Sequence, residues 1–276
     1  MKNPTPGALT RLQILYNLQK ETGEGAVAEH ALVTEGLTKA FGGFTAVRGV
    51  DFAVRRHAIH ALIGPNGAGK TTFFNLLTKV HTPTGGRILF EGTDITHESS
   101  AAIARRGIVR SFQISATFPH MSVRDNVRVA LQRRLGTQYA FWRSIRSLAV
   151  LDDEAMALLS DVGLADYAEA NAADLSYGRK RTLEIATTLA LDPPLLLLDE
   201  PTQGMAIDDV DRIKRLIRRI AVGRTILMVE HNMSVVADLC DTITVLQRGE
   251  ILAEGSYETV SADPGVKAAY LGGGHA

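Results

Sequence analysis

The stretch Gly64-Pro65-Asn66-Gly67-Ala68-Gly69-Lys70-Thr71-Thr72 constrains this chain more than any other. An apolar run, His60 to Ile63, precedes it, and Phe73 to Leu77 follows with helical spacing. That order predicts a strand, a glycine loop and a helix. Glycines let successive backbone N–H groups turn inward around a phosphate, and the helix N-terminus adds the positive end of its dipole. Lys70 is placed to reach β- and γ-phosphates, and the Thr71 hydroxyl to ligate Mg²⁺. A turn that merely joins a strand to a helix needs neither group. The stretch reads as a nucleoside-triphosphate site.

Composition narrows the surroundings of that site. Thirty basic and thirty acidic residues cancel, so no global field argues for a nucleic-acid partner. The arginine-rich stretch from Arg133 to Arg146, with Tyr139, Phe141 and Trp142, therefore reads as a solvated loop or a protein-contact surface. A single cysteine, Cys240, excludes an intrachain disulfide and reads as a small apolar side chain. Asp192-Pro193-Pro194 interrupts the longest apolar run, so no membrane span is expected. Arg11 and Gln13 break what a signal peptide needs unbroken, and the expected location is the cytoplasm.

Along the chain, residues 1 to about 30 read as an appendage, either a docking segment or a frayed extension. From Ala31 to Leu62 short β-type runs alternate with turns, among them Phe44 to Val47 and Val50 to Val54. His57 and His60 invite a metal reading, but strand spacing would place them on opposite faces. Residues from Gln113 to about Ala173 are mainly helical in pattern, with Val127, Ala130 and Leu131 on one face and Ala155, Leu158, Leu159 and Val162 on another. Leu175-Ser176-Tyr177-Gly178-Arg179-Lys180-Arg181 then opens a helix expected over Thr182 to Leu191. Ser176 sits at the N-cap, and Gly178 allows a ligand to approach closely. Four leucines, Leu195 to Leu198, predict a strand buried on both faces and ending in Asp199-Glu200, where open α/β folds bind ligands. An amphipathic helix over Ile207 to Ile220, a buried strand over Thr225 to Val229 ending in Glu230-His231, and a hairpin turning at Arg248-Gly249 complete the pattern.

These motifs together resemble the ATP-binding-cassette (ABC) ATPases over roughly Ala31 to Leu271. The glycine loop and Asp199-Glu200 fit many ATPases. Leu175-Ser-Tyr-Gly178 before the acidic strand, Gln113 between the two, and His231 after the next strand narrow the match. The resemblance implies an α/β fold: a P-loop, RecA-like core with an antiparallel β subdomain and a helical subdomain at about 113–180, the whole cassette spanning 31–272. It also implies roles. Gly64 to Thr72 would bind ATP with Mg²⁺, and Phe41 would stack on adenine. Thr71 and, through water, Asp199 would hold the metal. Glu200 would be the general base. His231 would contact the γ-phosphate, and Gln113 would sense the metal and the attacking water. Ser176 and Gly178 would face the γ-phosphate bound by a second ATPase subunit.

Several details resemble the ATPase of high-affinity branched-chain amino-acid importers. They are Tyr177 in place of a second glycine, Phe112-Gln113 followed by Phe118-Pro-His-Met-Ser122, Glu230-His-Asn-Met233, and Tyr270-Leu-Gly272. The resemblance implies a peripheral protein on the inner face of the cytoplasmic membrane. Its partners would be a second, non-identical ATPase, two permease subunits and, indirectly, a periplasmic binding protein. A lipid or lipopolysaccharide transport ATPase is the nearest rival. A soluble ABC ATPase would be expected to carry two cassettes or a long coiled-coil insertion. Two departures stand out: Arg179 replaces a usual glutamine, and Ala206 replaces a usual Asp or Asn.

Overall fold

The structure, a computed structural model, describes residues 29–111, 117–132 and 150–271. The expected appendage up to residue 28, Phe112-Gln113, the arginine-rich stretch from Arg133 to Arg146 and the closing Gly272 lie outside the described residues.

In chain order the elements are β1 (His30–Phe41), β2 (Phe44–Arg55), β3 (Ile59–Ile63), α1 (Lys70–Leu77), β4 (Gly85–Phe90), β5 (Thr93–Asp94), α2 (Ser100–Arg106), β6 (Ile108–Ser111), α3 (Val123–Leu131) and α4 (Asp152–Val162). Then come α5 (Tyr177–Leu189), β7 (Leu195–Asp199), α6 (Ile207–Ile220), β8 (Thr225–Val229), α7 (Met233–Leu239), β9 (Thr242–Gln247), β10 (Glu250–Gly255), α8 (Tyr257–Ala262) and α9 (Pro264–Leu271). They build two sheets. The smaller is antiparallel in the order β2-β1-β4-β5; the larger runs β10-β9-β3-β8-β7-β6. All neighbours in the larger sheet are parallel except the β9–β10 hairpin.

Side-chain alternation along the central strands fixes how layers stack on this sheet. Leu196 and Leu198 of β7 join Ile226 and Met228 of β8 against helices α3 to α7. Leu195 and Leu197 point the other way, into a core with Leu227, the α1 residues Phe73, Phe74, Leu76 and Leu77, and the antiparallel sheet. Every residue of β3, β7 and β8 is buried. Each enclosed leucine contributes about 1.5–3 kcal/mol relative to exposure. The four-leucine run therefore folds as a central strand. On the helical side, Val127, Leu131, Ala155, Leu159 and Val162 are buried together, with Ala130 and Leu158 packed against them.

Three boundaries differ from expectation. The two runs Phe44–Val47 and Val50–Val54 are one strand, β2, whose register against β1 shifts between the Leu37–Val50 and Lys39–Val47 pairs, a bulge that admits Gly49 without a turn. Helix α5 begins at Tyr177 rather than Thr182, which brings Gly178 and Arg179 into its first turn. It stops at Leu189 rather than Leu191, ahead of Pro193-Pro194. His57 lies in a turn outside any strand, whereas His60 is buried in β3 with its ring 4.7 Å from that of Phe52.

Candidate active site

The glycine loop leaves the carboxyl end of β3 and enters α1 at Lys70, the order the sequence predicts. Packing within the chain explains two of its glycines. A Cβ on Gly64 would lie 2.1 Å from the Leu246 carbonyl oxygen, and one on Gly69 would lie 2.5 Å from that of Ala46. The loop is thus wedged between β2 and the β9–β10 hairpin, and Gly249 N–H donates to the Ala68 carbonyl at 2.9 Å. Both turn residues of that hairpin, Arg248 and Gly249, have positive φ, as a two-residue turn between twisted strands requires. Gly67 faces open space, leaving room beside Pro65, Asn66 and Ala68 for a bound group.

Lys70 is buried and its Nζ donates to the carbonyls of Gly64 at 2.7 Å and Pro65 at 3.0 Å. Burial holds its pKa below the usual lysine value, and the negative charges of Glu200 and Asp199 oppose that shift. Thr71 and Thr72 follow in the first turn of α1. No acidic side chain occupies that turn, so its free N–H groups and dipole favour an anion.

The acidic pair closes β7. Asp199 is buried, and its Oδ2 is ion-paired with the Arg110 guanidinium from the adjoining strand β6. Its backbone carbonyl accepts a bond of 2.6 Å from Arg181, itself paired with Glu184 at 2.7 Å. Glu200 has φ of 46°, an uncommon conformation for a residue with a side chain, and its N–H donates to the Val229 carbonyl at 2.9 Å. Its Oε1 lies 2.8 Å from His231 Nε2, while its buried Oε2 has no partner.

A second carboxylate holds the two strand ends together. Glu230 is buried; its Oε1 accepts from the N–H of Thr202 at 3.0 Å and from its hydroxyl at 2.6 Å. Its Oε2 accepts from the N–H groups of His231 at 3.0 Å and Asn232 at 3.2 Å. The turn after β7 is thereby tied to the turn after β8. Glu200, Glu230, His231, Gln203 and Asn66 are among the residues lining a cavity of about 590 Å³. The sequence pattern singles out Glu200 and His231 but passes over Glu230, Arg110 and Arg181 as functional residues. A buried acidic residue directly before a strand-end histidine was the available signal for Glu230.

The start of α5 reaches this cavity's edge through Tyr177. Ser176 occupies the N-cap position, with no side-chain capping bond. The group that approaches Gly178 closely is the Asp209 carboxylate of α6, 2.6 Å from where a Cβ would lie. The Tyr177 hydroxyl donates to the Gln203 carbonyl at 3.2 Å, and the Arg179 guanidinium lies 4.1 Å from the centre of the Tyr167 ring. Phe41 ends β1 at 42% exposure, edge-on to His81 with ring centres 5.2 Å apart. Gln113 lies outside the described residues.

The residues present fit a nucleotide and a divalent cation. The loop offers an uncapped helix N-terminus, a buried lysine that bonds only loop carbonyls, and a buried carboxylate oxygen without a partner on Glu200. Among the described residues no group of three His, Cys, Asp or Glu side chains gathers around a common centre. A cation here would take most ligands from phosphate oxygens, water and the Thr71 hydroxyl, as Mg²⁺ does at phosphate sites. No helix among the described residues is long and apolar enough to cross a membrane.

Residues 47–203 match the family model described as ABC transporter, and residues 250–276 match one described as branched-chain amino acid ATP-binding cassette transporter. The chain is similar to the high-affinity branched-chain amino acid transport ATP-binding protein BraF of Pseudomonas aeruginosa. They are 39% identical over 251 residues, 87% of this chain and 97% of the relative. It is also similar to LivG of Escherichia coli, which carries the same description, at 37% identity over 255 residues, 89% of this chain and 99% of the relative. Among solved structures, the ADP conformation of an ATP-binding cassette of an ABC transporter superposes with a TM-score of 0.76 at 29% identity, covering 88% of this chain and 99% of that one.

Proposed function

This chain belongs to the ABC transporter family and is one of its ATP-binding, ATP-hydrolysing subunits, and from that premise we propose that it energises import of branched-chain or related amino acids. The relatives' role in branched-chain amino acid transport and the match at residues 250–276 support that substrate class. On this reading the chain works with permease subunits at the membrane, a second and non-identical ATPase, and a periplasmic binding protein that delivers the amino acid.

The observation that carries the chemistry is the 2.8 Å contact between Glu200 and His231 at neighbouring strand ends, beside the phosphate loop. Lys70 exchanges the Gly64 and Pro65 carbonyls for β- and γ-phosphate oxygens, and the α1 N-terminus faces the same charge. Thr71 and, through water, Asp199 would hold Mg²⁺, which would supply positive charge to the phosphate oxygens. Glu200 orients the attacking water and accepts its proton. His231 fixes that carboxylate and faces the γ-phosphate; Gln113 senses the metal and the attacking water and couples them to the permease. Phe41 stacks on adenine. Ser176 and Gly178 serve the nucleotide of the partner subunit, so ATP clamps a dimer and hydrolysis releases it.

Reconstitution in vesicles with the permeases tests the substrate class. Uptake of radiolabelled leucine, isoleucine or valine that needs this chain and ATP is the expected result. ATP-driven transport confined to other solutes would overturn it.

A further inference from the structure

Arg110 has no part in the mechanism above, yet it is ion-paired with one of the site's two strand-end carboxylates. It leaves β6 opposite Leu197, two residues before Asp199 on β7, so the parallel register carries its guanidinium to the end of the sheet. There it is ion-paired with Asp199 Oδ2, the carboxylate given to the metal. Its other terminal nitrogen donates to Asn75 Oδ1 of α1 at 2.7 Å, and the guanidinium lies 5.6 Å from the centre of the Phe74 ring. The Arg110 side chain is 11% exposed and that of Asp199 is 5%. Its buried Nε has no partner. A buried carboxylate needs a counter-charge. A guanidinium seated on Oδ2 takes up part of the acceptor capacity of Asp199 and neutralises the charge that would draw a metal-bound water to it.

Resting on the reading of Asp199 as a metal-site carboxylate, we propose that Arg110 is a resident counter-cation that neutralises Asp199 in the metal-free protein and gives way when Mg²⁺ enters with nucleotide. It is a positioning residue. Asn75 and the Phe74 ring keep the guanidinium within the site after it leaves Asp199, so the exchange needs a rotamer change and no backbone movement. The competition raises the metal concentration needed for loading, and it keeps Asp199 oriented while the site awaits nucleotide.

The probe is Mn²⁺, followed by electron paramagnetic resonance as it binds the full chain saturated with ADP. Arg110→Met removes the charge and keeps most of the volume. It should tighten Mn²⁺ binding roughly tenfold, the scale of one charge-assisted hydrogen bond. In an Asp199→Asn background the same substitution should change Mn²⁺ affinity little, because the competition acts through that carboxylate. Arg110→Gln, which removes the charge but keeps an N–H donor, should shift affinity in the same direction by less; it carries the test if Arg110→Met does not fold. Unchanged or weaker Mn²⁺ binding in both variants would overturn the proposal. So would an equal gain in the Asp199→Asn background, which would reveal general electrostatics only. If Asp199→Asn alone left Mn²⁺ affinity intact, the metal role of Asp199 would fail instead.

Discussion

Replacing Glu230 by alanine should separate catalytic geometry from nucleotide binding. The carboxylate is 2% exposed and accepts four hydrogen bonds: two from Thr202 and one each from the His231 and Asn232 N–H groups. Truncation strands three backbone donors and a hydroxyl. At about 1–3 kcal/mol for each orphaned buried group, simple addition gives roughly 8 kcal/mol. The same residues line an open cavity, so water reaches most of the stranded groups. A net loss of about 3 kcal/mol follows, within the range of large single-site effects. For a chain of this size that lowers Tm by roughly 6–12 °C. Glu230→Gln keeps one acceptor and should cost less, about 1–2 kcal/mol. The catalytic effect is larger, because Glu200 and His231 each adjoin the segment Glu230 fastens. A misplacement of about 1 Å costs on the order of 10²-fold in rate. The phosphate loop is untouched, so ATP affinity should stay near that of the unchanged protein. Urea unfolding, fluorescent-nucleotide binding and steady-state ATPase measure the three quantities. Unaltered kcat in folded Glu230→Ala protein, or equal losses of affinity and kcat, would refute the reasoning.

Three further outcomes are expected. Ala206 caps α6 in extended conformation with no side-chain bond, so Ala206→Ser should add about 1 kcal/mol to unfolding stability; denaturation midpoints that do not rise would contradict it. Burial raises the Glu254 pKa above its usual 4.5, with the Thr244 hydroxyl opposing the shift, so the folded protein binds that proton more tightly than the unfolded chain. Stability from this group is therefore complete below pH 4.5 and declines as pH rises through the raised value; Glu254→Gln should flatten that part of the profile, and parallel profiles would count against it. Phe41→Ala should weaken ATP binding roughly 3- to 10-fold while leaving Tm unchanged, and calorimetry showing equal affinity would end the adenine-stacking role.

The sequence carried the parts that periodicity and backbone chemistry determine. Leu195 to Leu198 announced a strand buried on both faces, and β7 has all five residues buried. The α6 stripe of Ile213, Leu216, Ile217 and Ile220 placed that helix to its ends. The turn at Arg248-Gly249 formed where the glycine permits positive φ. Side-chain pairing between distant elements was not legible. Arg110 and Asp199 are 89 positions apart and meet only because β6 lies parallel to β7. Gly178 advertised a close approach, but sequence spacing does not name the approaching group, which is Asp209 of the next helix. Periodicity does not mark the start of α5, because Gly178 and the charged run after it have no apolar pattern, while the Arg181–Glu184 pair lies within the helix.

Single-turnover hydrolysis by Glu200→Gln protein tests the central claim most directly. The substitution preserves shape and the neighbouring His231 but removes the proton acceptor. With ATP and Mg²⁺ the variant should bind nucleotide as the unchanged protein does, while hydrolysis falls by roughly 10²–10⁴-fold, the scale of lost acid–base catalysis. Turnover within a few-fold of normal, with binding intact, would contradict the assignment of Glu200 as the base.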